Sequence, residues 1–305
     1  MKGKDLLSVV NLDPGEINRL IDRAIKLKAA DSHKPLMGRT VVLLFEKPSL
    51  RTRVSFDVGI HQLGGHSLYM AGPEVGLGTR EAVADVARVL SRFVNCIVAR
   101  VNSHATLDEL ARFSTIPVVN ALSDWEHPCQ TLADLQTIKE VRGRLEGITV
   151  AYIGDGNNVA RSLALGIASV GGNFAAASPK GYSLDEGTLR LAQRLASPWN
   201  AKVSTSPNLE AAVSGADVVY TDVWTSMGQE AERKARLKAF AGYTVDQRMM
   251  SLAHPDAIFM HPMPAHYGEE VSHGMLDLPC SVTFQQAENR LHAQKAVLEY
   301  LIGPR

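Results

Sequence analysis

The sequence predicts an α/β protein of two doubly wound parallel-sheet domains joined by helices, with a C-terminal helix returning to the N-terminal domain. Three observations predict it. The chain is long and apolar enough for two cores, with 305 residues and 45% apolar side chains. Short apolar runs alternate with longer amphipathic segments, the pattern of βα units around a parallel sheet. Anion-binding and amide side chains gather where the apolar runs stop, and in such sheets ligands bind outside the carboxyl ends of the strands.

In the first half, "TVVLLF" (40–45), "HSLYM" (66–70), "CIVARV" (96–101) and "IPVVNA" (116–121) read as buried strands. Between them, 51–64 and 79–94 read as helices; Val83, Val86, Ala87, Leu90 and Phe93 recur at helical spacing. The segment 127–147 reads as one long helix stopped by Gly147. A second series of strands follows at 148–154, 173–178, 202–206, 217–223 and 257–261, and residues 285–302 form a closing helix. The hinge falls near residues 130–142.

Composition excludes several function classes. Lys plus Arg and Asp plus Glu balance at 32 each, so no global field attracts nucleic acid or an anionic membrane. No apolar run approaches the ~18 residues of a membrane span. The N-terminus is a poor signal peptide. Three cysteines without a CxxC pair, Cys96, Cys129 and Cys280, fit a reducing cytoplasm better than a disulfide framework.

"FEKPSLRTRVSF" (45–56) concentrates charge in this neutral chain. Ser49, Leu50, Arg51, Thr52 and Arg53 follow a strand and open a helix, whose N-terminal N–H groups favour an anion. Arg51 adds a fork matched to phosphate oxygens. The plain alternative is a capped helix with surface arginines. The glycines and GK[ST] of a nucleoside-triphosphate loop are absent.

Arg100 closes the third strand. His127 and Gln130, three apart with Pro128 between them, share one helix face. His127 with Cys129 makes a poor metal site, because no further ligand lies at a useful spacing. "YIGDGNNVARSL" (152–163) has Gly154 and Gly156 but Val159 at the third glycine position, and no acid follows the next strand. A nicotinamide cofactor is therefore not expected, and Asn157 and Asn158 suit an amino-acid carboxylate or amine. Asp222 and Ser226, beside Met227, suit an ammonium group. Arg290 lies on the closing helix.

These ordered segments resemble the ornithine carbamoyltransferases over essentially the full length. "SLRTR" is similar to the family's carbamoyl-phosphate motif, "HPCQTLAD" to H-P-x-Q-x-L-A-D, and "GDGNN", "DVWTSMGQE" and "AENRLHAQKA" to later segments. The resemblance implies a carbamoyl-phosphate domain of residues 1–135 with 286–305, and an ornithine domain of residues 136–285. It implies carbamoyl-phosphate ligands Ser49, the Leu50 backbone, Arg51, Thr52, Arg100, His127, Gln130, the Met263 carbonyl and Arg290. The implied ornithine ligands are Asn158, Asp222, Ser226 and Met227, and the implied catalytic group is Arg100, His127, Thr52 and Asp222. It implies carbamoyl transfer from carbamoyl phosphate to L-ornithine in arginine metabolism, with no metal or organic cofactor, by a cytoplasmic homotrimer or a multiple of trimers that binds neither nucleic acid nor membrane.

Three positions depart from the pattern. Leu50 replaces a threonine. Gly76 stands where many members place Gln or His. His261, Pro262, Met263 and Pro264 stand for H-C-L-P, so the cysteine is missing. The last departure keeps open a carbamoyltransferase with another amine acceptor, and together with Gly76 it keeps open a non-catalytic carbamoyl-phosphate-binding paralogue.

Overall fold

The computed structural model describes residues 4–29, 33–226 and 228–304. The chain separates into two compact units, Met1–Gln136 with Glu288–Arg305, and Thr137–Ala287.

The first unit is built on β1 (Thr40–Phe45), β2 (His66–Ala71), β3 (Cys96–Arg100) and β4 (Val118–Leu122), in the spatial order β2-β1-β3-β4. All pairings are parallel. The expected strands are present to within a residue or two at their ends. Every residue of β3 is buried, as a strand covered on both faces requires. Val42, Leu44, Ile97 and Ala99 pack with Val86 and Ala87 of the helix Val83–Phe93 and with Leu107 and Leu110 of the helix His104–Phe113. Because β2 and β3 flank β1 on opposite sides, the chain reverses its winding between β1 and β3.

The second unit repeats this plan. Its strands are β5 (Thr149–Ile153), β6 (Asn173–Ala177), β7 (Val203–Ser206), β8 (Val218–Thr221) and β9 (Ile258–Met260), in the order β7-β6-β5-β8-β9 and again all parallel. Here the winding reverses between β5 and β8. Ala151, Ile153, Val219 and Phe259 pack with Val213, Val245 and Met275.

The helix Thr283–Ile302 returns to the first unit. Its Glu299 accepts from Arg23 Nε at 2.8 Å, its Asn289 from Lys28 Nζ at 2.8 Å, and Tyr300 donates to Glu16 at 2.5 Å. These contacts tie it to the helix Pro14–Ala29, which the apolar runs alone did not single out. Among the described residues no helix is long and apolar enough to cross a membrane.

Two expected helix boundaries move. The helix expected over 127–147 ends at Arg142, and Gly143, at φ +73°, takes the left-handed position just beyond. Gly147 belongs to the next turn, whose N–H bonds Gly171 O at 2.9 Å. The helix expected from residue 79 begins only at Val83, because the chain before it turns on Gly76. Gly76 sits at φ +59°, and a Cβ there would lie 2.6 Å from Arg80 Cβ. A Gln or His in this turn would be strained and would have to displace Arg80.

Gly156 has a different reason to be glycine. A Cβ there would meet the backbone of the passing segment, 2.4 Å from Leu184 N. Its own N–H bonds Tyr182 O at 2.7 Å. Space that a dinucleotide turn would give to a cofactor is filled by chain. Gly156→Ala should cost about 1–3 kcal/mol or more as the overpacked backbone shifts, read as a lower urea midpoint; an unchanged midpoint would contradict this packing.

Candidate active site

Some of the expected residues of each unit lie where its winding reverses, Ser49 to Thr52 and Arg100 in the first and Asn157, Asn158 and Asp222 in the second, whereas His127 and Gln130 follow β4 and Met263 follows β9. In the first, β1 and β3 are neighbours, with Phe45 opposite Arg100 and Glu46 N bonded to Arg100 O at 2.8 Å. The turn after β1 therefore faces the end of β3. That turn opens the helix Leu50–Gln62, capped by Ser49, whose Oγ accepts from Thr52 N at 3.3 Å. Leu50 is 76% exposed, so only its backbone can serve the site.

Thr52 is 1% exposed, and its hydroxyl accepts from Ser49 Oγ at 3.0 Å and from Arg290 Nη2 at 2.6 Å. Two bonds occupy both acceptor positions of a hydroxyl and leave its O–H to donate elsewhere. Arg290 reaches Thr52 across 238 residues of sequence, carried there by the returning helix. Arg53 turns away, with its guanidinium 3.7 Å from the centre of the Tyr69 ring.

Arg100 is 4% exposed. Burial pushes its guanidinium down to about 10, and Arg290 and Arg51 push the same way. Burial also lowers Arg51. Neither Arg51 nor Arg100 has an ion-pair partner among the described residues, and the Nε of each is buried without a hydrogen bond. Concentrated positive charge of this kind suits an anion.

His127 stands beside these arginines. Burial, then Arg290 and Arg100, hold its imidazole well below the ordinary histidine range, so it is neutral near pH 7. Gln130, one helical turn on, gives its Nε2 to Asp134 at 2.8 Å and leaves Oε1 buried without a partner. Cys129 between them points elsewhere. Its thiol donates to Asn120 O at 3.4 Å and burial raises it to about 12, so it offers no thiolate.

In the second unit Ile153 pairs with Thr221, which brings the turn after β5 against the end of β8. Asn157 caps the helix Asn158–Ser169 through Oδ1 and gives Nδ2 to Asp222 at 2.8 Å. Asn158 Oδ1 accepts from Val159 N at 3.0 Å. Asp222 is buried, which lifts its carboxyl above the usual range; His261 and the Asn157 bond pull it back, and Glu270 adds to the rise. Ser226 donates its N–H to Gln229 Oε1 at 3.1 Å. Met227 lies outside the described residues.

Two supports in this unit were not anticipated. Arg236 bonds Asp155 at 2.7 Å and Trp224 O at 3.0 Å, tying the loop after β8 to the turn after β5. His261 accepts from Met263 N at 2.9 Å on Nδ1, so its Nε2 carries the proton and donates to Glu270 at 3.1 Å. Met263 is thereby held at φ +62°. Among the described residues, His266, Glu269 and Glu270 could offer ligand atoms within 4.8 Å of one another. Arg233 already pairs with Glu269, and His261 and the His266 N–H already bond Glu270.

Two family models cover the chain. The carbamoyl-P binding domain of aspartate/ornithine carbamoyltransferase matches residues 4–140, and the Asp/Orn binding domain matches residues 146–301. The chain belongs to the aspartate/ornithine carbamoyltransferase family. Within it, the chain is 48% identical to an ornithine carbamoyltransferase of Anoxybacillus flavithermus over 99% of this chain and 98% of that protein. It is 48% identical to one of Bacillus subtilis over 98% and 94%. The solved ornithine carbamoyltransferase of Pyrococcus furiosus superposes with a TM-score of 0.95 at 45% identity, covering 99% of this chain and 97% of that one. An ornithine transcarbamoylase from Giardia lamblia, at 32% identity, still gives 0.90 over 99% of each chain.

The neutral state of His127 has a consequence for stability. Its folded value is depressed, so the unfolded chain takes up a proton below about pH 6.5 that the folded chain refuses. Stability from this group is present above that pH and is lost on acidification. The urea midpoint of the wild type should therefore fall further between about pH 7.5 and 5.5 than that of His127→Gln. Equal falls would mean that His127 protonates in place.

Proposed function

We propose that this family member is an ornithine carbamoyltransferase, moving the carbamoyl group of carbamoyl phosphate to the side-chain amine of L-ornithine to give citrulline and phosphate. The observation that carries the reading is the cluster of Arg51, Arg100 and Arg290 with a neutral His127 and the open oxygen of Gln130. Each type of group on carbamoyl phosphate has a complement there. The arginines and the first N–H groups of the helix after Ser49 suit the phosphate. Arg100, the His127 imidazole and the spare O–H of Thr52 suit the carbonyl oxygen. Gln130 Oε1 suits the NH2 group, and we assign the Met263 carbonyl to it as well.

Acceptor residues come from the second unit. Asp222 and Asn158, with Ser226 and Met227, bind and orient ornithine. About one lysine-like amine in a thousand is neutral at pH 7.4. That neutral amine attacks the carbonyl carbon, and negative charge builds on the carbonyl oxygen, where fixed donors stabilise it. The C–O bond to phosphate then breaks, and the leaving phosphate takes the amine proton. No covalent enzyme intermediate is required.

A cytoplasmic homotrimer or multiple of trimers completes the proposal. Exposed apolar side chains at Leu50, Val54 and Val58 of one helix and at Leu68 of β2 support a self-association face on the first unit.

Pro262 in place of a cysteine favours one competing reading, a changed acceptor. A ureido assay with carbamoyl phosphate and, in parallel, L-ornithine, L-aspartate, N-acetyl-L-ornithine and putrescine separates the cases. Turnover with ornithine alone is expected. Turnover only with another amine would overturn the acceptor assignment. Carbamoyl-phosphate binding without turnover on any amine would make the chain a binding paralogue.

A further inference from the structure

The amide of Gln130 is a two-faced group. One end donates and the other accepts, and only the accepting end suits a substrate NH2. Something must choose which end faces the site. Gln130 and Asp134 are both buried and stand four residues apart on the helix Pro128–Arg142, where side chains meet. Gln130 Nε2 donates to Asp134 Oδ1 at 2.8 Å, and Oε1 is left buried with no partner among the described residues. A carboxylate oxygen can only accept, so turning the amide over would set oxygen against oxygen. The orphan Oε1 is then a fixed, desolvated acceptor, which is costly until a donor meets it.

We propose that Asp134 is a positioning residue that locks the Gln130 amide with its oxygen toward the substrate, and that this lock makes the site select a carbamoyl NH2 over an isosteric methyl group. The inference rests on the assignment of Gln130 to carbamoyl phosphate made above. Sites built to hydrogen-bond an N–H reject an analogue lacking it, because their own buried group is left unpaired.

Acetyl phosphate, in which CH3 replaces NH2, is the probe. Calorimetric titration of the full-length enzyme should show carbamoyl phosphate bound about 10- to 100-fold more tightly than acetyl phosphate, the value of one buried acceptor left unmet. In Asp134→Asn the new amide can donate to Gln130 Oε1 and let the side chain turn, so the ratio should fall to about one. Inorganic phosphate, which makes no use of the amide, should bind the variant within about twofold of wild type. A simple loss of fold would weaken all three ligands together. Gln130→Ala should abolish the ratio as well.

A ratio that persists in Asp134→Asn but collapses in Gln130→Ala would overturn the role of Asp134 and leave the site assignment standing. A ratio unchanged in both would overturn the site assignment itself. Should Asp134→Asn fail to fold, the wild type still decides. The Gln130 side-chain NH2 resonances should keep their shift and their protection from exchange when carbamoyl phosphate saturates the enzyme, because Nε2 stays on Asp134; a large shift of those resonances would overturn the proposal.

Discussion

The first unit depends on holding like charges together. Burial, with Arg290 and Arg51 beside it, depresses the proton affinity of Arg100, and burial depresses that of Arg51, in a place where no carboxylate among the described residues pairs with either. Three different parts of the chain are needed to do this: the helix after β1, the end of β3 and the helix that returns from the C-terminus. Parallel pairing of β1 with β3 sets Arg100 opposite the turn, and the contacts of Glu299, Asn289 and Tyr300 dock the helix that delivers Arg290. The fold provides the rigidity that holds these like charges together, the arrangement a small dianion would relieve on the proposed reading.

The second unit uses the same device with opposite chemistry. Its winding also reverses next to the first strand, and a polar residue again caps the helix that follows, Asn157 here and Ser49 there. What it collects is a buried carboxylate, Asp222, held by an amide. One unit thus presents buried cations and the other a buried anion, in keeping with a phosphate donor and an ammonium acceptor. The missing cysteine leaves the Met263 backbone intact, because His261 and Glu270 hold it from behind Pro262.

Much of this was legible in the sequence. The strands showed as continuous apolar runs because both faces of these sheets are covered. Arg100 stood out because a charge ending a buried run must meet something. Helix ends were less legible, since Gly143 and Gly147 are equally good stops by composition and only Gly143 lies next to the last helical residue. Arg290 was legible as a charge on the closing helix, but its ligand role came from the family resemblance, because nothing local marks a partner 238 residues away. Nothing in the local charge pattern of "ERKARLKA" marks Arg236, whose partner Asp155 lies in a distant turn and with which it is buried. Asp134 carries a usable signal in its spacing of four from Gln130, which places the two side chains together on one helix.

The central claim is that the arginine cluster is built for a small dianion and needs no amine to bind it. Calorimetric titration with carbamoyl phosphate alone, on wild type and on Arg100→Met, tests it most directly. One site per chain is expected, weakened by about 10- to 100-fold in the variant, the value of one charge-assisted hydrogen bond. Binding that needs ornithine first, or that is as tight in Arg100→Met as in the wild type, would contradict it.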